Sequence, residues 1–149
     1  MAVRLDFDKP IFVIEHCLNC RTRCAWHTRH DEAKYRGYAT DLSSRIREHV
    51  PDAIVLYNQV PKRGFEKEIY CQLVPNEDDN NDVYDMIPRM GAFEVSTVAE
   101  RGSGGSEAIL LFSKLIGGLW PHVGDLAKRM AAFCGENSKE ESSNLGELR

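Results

Sequence analysis

The stretch Phe12–His30, FVIEHCLNCRTRCAWHTRH, decides how the rest of the chain is read. Ile11, Phe12, Val13 and Ile14 form a short, uniformly apolar run, the pattern of a strand buried on both faces. Glu15 and His16 close it. Cys17 and Cys20 follow as a C-x-x-C pair, and the residues beyond take up a helical period. Two intervening residues let the chain turn tightly enough for the two sulfurs to meet. A helix starting at the pair presents unpaired N–H groups and partial positive charge, which favour thiolate over thiol. Arg21 and Arg23 add charge in the same sense. His16 is a further candidate for tuning the thiolate, or else the polar end of the strand. Cys17 and Cys20 are thus the candidate redox pair.

The same spacing also serves zinc. Cys17, Cys20, Cys24, His27 and His30 run as C-x2-C-x3-C-x2-H-x2-H. On a helix, Cys20, Cys24 and His27 share one face, and with Cys17 they would supply four ligands. Against a metal stand two facts: no second knuckle occurs, and a chain of 149 residues can build a core without one. No cofactor is therefore expected.

Outward from this stretch, Thr28 to His49 reads as one long helix. Tyr35, Tyr38, Ala39, Leu42, Ile46 and Val50 form its apolar stripe. Gly37 inside it costs roughly 1 kcal/mol relative to alanine. Pro51 ends the helix, and Ala53–Tyr57 reads as a second strand, completing a β-α-β unit. Phe65–Val74 alternates in part and suits an extra strand or ribbon. Pro75–Asp82, PNEDDNND, reads as an exposed acidic loop. Gly91–Val98 and Ala108–Ser113 read as a hairpin, with a Gly/Ser-rich tip between them. Gly117 and Gly118 turn the chain. Val123, Leu126, Ala127, Met130 and Cys134 form a second helical stripe, with Gly135 as its expected cap. Residues 136–149 read as a polar, flexible tail.

Composition narrows the function classes. Apolar residues make up 42% and charged residues 28%, ordinary for one globular domain. A net charge of -4 gives no general attraction to nucleic acid or anionic membrane. The longest apolar run, Ala108–Phe112, is too short to span a bilayer. Asp6, Asp8 and Lys9 interrupt the N-terminus, so no signal peptide is expected. Five cysteines, of which three cluster, suit a reducing compartment. The expectation is a cytoplasmic protein, with ciliary or organellar sites left open.

Three stretches in order carry a family resemblance: VIEHCLNC, GAFEV at Gly91–Val95, and LLFSKLIGG before the last helix. Together they resemble the selenoprotein W (Rdx) family, in a cysteine-containing form with an insertion at residues 61–90. The resemblance covers Ile11–Tyr57 and Gly91–Phe133. It implies a thioredoxin-like β-α-β-β-β-α fold with a mixed four-stranded sheet, occupying residues 1–135. It also implies thiol–disulfide exchange at Cys17 and Cys20, with glutathione as a co-substrate or a protein as partner. Cys20 stands where some members carry selenocysteine, so either sulfur is a candidate nucleophile. Cys24, His27, His30 and the insertion depart from the family pattern. An enlarged member of this kind also suits a second role, as a redox-inactive adaptor subunit within a larger assembly.

Overall fold

The apolar run before the cysteines becomes the middle of a sheet. The computed structural model describes residues 2–18, 32–63, 72–74, 80–100 and 106–147. Strand β1 is Ile11–His16, helix α1 is Glu32–His49 and strand β2 is Ile54–Tyr57. Two long strands follow later, β6 (Phe93–Glu100) and β7 (Ser106–Ser113). The four strands lie in the order β2-β1-β6-β7. β1 runs parallel to β2 and antiparallel to β6, and β6 and β7 form an antiparallel pair. The protein is therefore a mixed α/β fold, as the residue pattern predicts. A short helix, α2 (Lys114–Gly117), leads from β7 to the last helix, α3 (Val123–Glu147).

Both faces of β1 are covered, which explains why its residues do not alternate. Phe12 and Ile14 face α1 and α3, in a core with Tyr35, Leu42, Ile46, Phe93, Val95, Leu126 and Met130. Ile11 and Val13 face the other way. There they meet a second sheet built from the insertion: β3 (Gln59–Pro61), β4 (Gln72–Val74) and β5 (Val83–Ile87), in the order β3-β5-β4. Leu56, Val60, Val83, Met86 and Ala108 complete this back core, with Val3, Leu5 and Phe7 of the lead-in packed on it. The result is three layers: helices, main sheet and small sheet. The insertion is thus a structural layer, of which β5 had no signal read in the sequence.

Several boundaries differ from expectation. The 75–82 segment does not end as a free loop. Asn81 is buried, and its Oδ1 accepts from the N–H groups of Val3 and Val83. Asp82 Oδ2 accepts from Leu5 N–H at 2.8 Å, and Asp82 N–H donates to Val3 C=O at 2.8 Å. Short polar side chains here replace strand partners for the lead-in. Residues 75–79 lie outside the described residues. Helix α3 does not stop at Gly135 but runs on to Glu147; with no left-handed turn at Gly135, nothing ends it there. Gly118 does adopt a left-handed conformation, with φ of 75°, and its N–H caps α2 by donating to Lys114 C=O. The β6–β7 pairing carries a bulge beside Val95 and Ser96, which leaves Leu111 without a partner across the strand. Leu111 and Phe112 both pack against the helix-side core. No described helix is long and apolar enough to cross a membrane.

Candidate functional site

Cys17 lies just past the end of β1 and is completely buried. It is disulfide-bonded. Its N–H donates to Ala92 C=O at 3.0 Å. That carbonyl belongs to the turn before β6, where Gly91 takes a φ of 76° that only glycine adopts freely. The GAFEV stretch thereby has a local reason. Gly91 makes the turn, Ala92 holds the cysteine backbone and Phe93 fills the core beneath it.

Cys20, Arg21, Arg23, Cys24, His27 and His30 lie outside the described residues, as does Trp26. The dithiol partner and the zinc set read from the sequence both fall there. Among the described residues no cluster of three or more potential metal ligands occurs. Cys134 is half-buried. Burial, followed by the nearby Asp52 charge, pushes its pKa up, which keeps it protonated and unreactive.

His16 is buried beside Cys17, and its ring meets Tyr57 edge-on at 6.2 Å. Its Nδ1 has no hydrogen-bond partner among the described residues. Burial first, and the Arg36 charge second, hold its pKa below 6.5. The imidazole beside Cys17 is therefore neutral at physiological pH. Its backbone is held by Asn58, which lies in the left-handed region at φ 51°. Asn58 Oδ1 accepts from His16 N–H at 2.8 Å and its Nδ2 donates to His16 C=O at 3.1 Å. Asn58 N–H also donates to Ile14 C=O, and Met86 N–H donates to Asn58 C=O. One residue thus pins the end of β1 at the point where the chain passes from β2 into the small sheet.

Two buried glutamates face each other at the same end. Glu15 and Glu94 are register partners on β1 and β6. Arg89 bridges them: its guanidinium donates to Glu15 at 2.7 Å and lies 3.9 Å from Glu94. Arg89 N–H donates to the same Glu15 carboxylate. Glu94 also accepts from Ser113 Oγ and from the Lys114 and Leu115 N–H groups. A charge buried to this degree persists only with such partners. These residues were passed over in the sequence. The available signal was a glutamate set beside apolar strand residues, after Ile14 on β1 and between Phe93 and Val95 on β6.

Trp120 closes the helix side. It stacks on Tyr38 at 4.2 Å and packs on Tyr35 and Phe93. Lys34 and Lys114 both lie over its ring, at 5.1 and 5.0 Å. Lys114 Nζ also donates to Tyr35 Oη and Gly91 C=O. Arg36, on the first turns of α1, is tied to Glu32 at 2.9 Å. No protein-family model, no curated protein and no solved structure matches this chain.

Proposed function

We propose that the protein is a thioredoxin-like, selenoprotein W-like thiol–disulfide protein whose working pair is Cys17 and Cys20. The observation that carries this reading is the disulfide at Cys17, formed where the central strand ends. The strand order β2-β1-β6-β7 supports it, since a thioredoxin-like β-α-β-β-β-α chain is expected to pair its strands in that order. The clasp from Ala92 supports it further, by fixing the backbone of Cys17.

In the proposed cycle an incoming thiolate attacks one sulfur of the pair. The intramolecular S–S bond breaks as a mixed disulfide forms, and the other sulfur leaves as a thiolate. A second substrate thiolate then resolves the mixed disulfide. The pair thereby gains two electrons and two protons, and the substrate dithiol, or two glutathione molecules, loses them.

The test is a redox titration of the full chain against glutathione, read by alkylation and mass. One reversible two-electron transition is expected, abolished in both Cys17→Ser and Cys20→Ser and unchanged in Cys134→Ser. A transition that survives Cys20→Ser would refute the assignment.

A further inference from the structure

Helix α1 carries a glycine that the fold does not require. Gly37 lies mid-helix, and a Cβ built on it meets nothing within 4 Å among the described residues. Its backbone does not lie in the left-handed region. Alanine would fit and would favour the helix. Gly37 instead lines an open groove of about 290 Å³ with Lys34, Tyr38 and Asp41. The groove adjoins the Trp120 ring, because Tyr38 stacks on it and Lys34 lies over it. Beyond Trp120 the chain exposes Ile116 at 82% and Leu119 at 75%, the two most exposed large apolar side chains among the described residues. Leu119 is the immediate chain neighbour of Trp120, and Ile116 lies four residues before it.

We propose that this surface docks a segment of a partner protein that carries a bulky apolar side chain next to acidic residues. A groove beside an indole, with exposed apolar side chains within four residues of that indole, suits successive side chains of a peptide better than one small molecule. The charge picks the acidic companion. Lys34 has no hydrogen bond or ion pair among the described residues, and Lys114 lies over the same ring. The acid in the groove, Asp41, is already taken up by Arg45 at 3.1 Å. The same charge disfavours a second copy of this chain. A two-fold contact would set lysines against lysines. The proposal does not depend on the chemistry of Cys17.

The experiment selects from a random peptide display library against the full chain, with and without reductant. A synthetic peptide of the enriched sequence is then measured. Enriched peptides should pair an aliphatic or aromatic residue with aspartate or glutamate. Binding should weaken about tenfold or more in Ile116→Asp and in Lys34→Glu, as for interface anchors. Gly37→Leu should abolish binding while raising Tm, which separates groove closure from unfolding. Amide shifts on binding should map to residues 34–38 and 116–120. Peptides lacking acidic residues, or binding indifferent to Gly37→Leu and Ile116→Asp, would overturn the proposal. So would a dimer in solution that Ile116→Asp dissolves.

Discussion

Asn58 clasps the end of β1 with its side chain, meets the small sheet through its backbone carbonyl, and holds a conformation that costs most residues energy. Asn58→Ala removes two buried hydrogen bonds, leaves both His16 backbone groups unsatisfied and keeps the strained φ. The expected loss is about 3–4 kcal/mol in urea unfolding. Asn58→Gly loses the same bonds without the strain, so it should be less damaging by about 1 kcal/mol. His16 gives a pH signature. Its folded pKa lies below 6.5, so the unfolded chain binds a proton first as pH falls. The stability at issue is present in full above the unfolded pKa. It is lost as pH falls from there through the folded pKa. The urea midpoint should therefore fall as pH drops below about 6.5, and His16→Gln should drop less. Cys17 was legible as a site residue because C-x-x-C after an apolar run is a local pattern. Asn58 was not, because its partners sit 42 residues away and nothing in an isolated asparagine announces a left-handed junction.

The elements were read well where burial is periodic. α1 shows its stripe at Tyr35, Ala39, Leu42 and Ile46, all buried. Tyr38 and Val50, counted on the stripe, are only partly buried, and Ser43 takes a buried place instead. Its Oγ has no hydrogen-bond partner among the described residues. Ser43→Ala should therefore stabilise the protein, by about 1 kcal/mol, through relief of an unpaired hydroxyl and better helix propensity. Thermal unfolding of the single variant checks this. The insertion was read poorly for an equally physical reason. Its strands have three, three and five residues, too few for a period to show. They are held by pairing with one another and by burial against Ile11 and Val13, both non-local. The extension of α3 past Gly135 shows the converse error, since glycine permits a cap without imposing one.

At the scale of the molecule the back layer carries a prediction of its own. Val3, Leu5 and Phe7 cover the small-sheet core and are tied to Asn81 and Asp82. Deleting residues 1–8 should cost about 2–4 kcal/mol by the area rule for buried apolar side chains. The urea midpoint should fall, and binding of a hydrophobic dye should rise. The redox chemistry proposed for Cys17 sits at the other side of the sheet from this layer, so a truncated chain that still folds should keep its two-electron transition.

The place of β1 between β2 and β6 has a consequence for synthesis. Phe12 pairs with Thr97, and Val3 is bonded to Asp82. A nascent chain leaving the ribosome exposes Ile11–Ile14 long before those partners emerge. The pairing of β1 with β6 must therefore wait for a strand more than 75 residues downstream, and is slow by the ordinary dependence on sequence separation. In the cell, a chaperone that shields the first apolar run until the hairpin arrives should raise the yield of native protein.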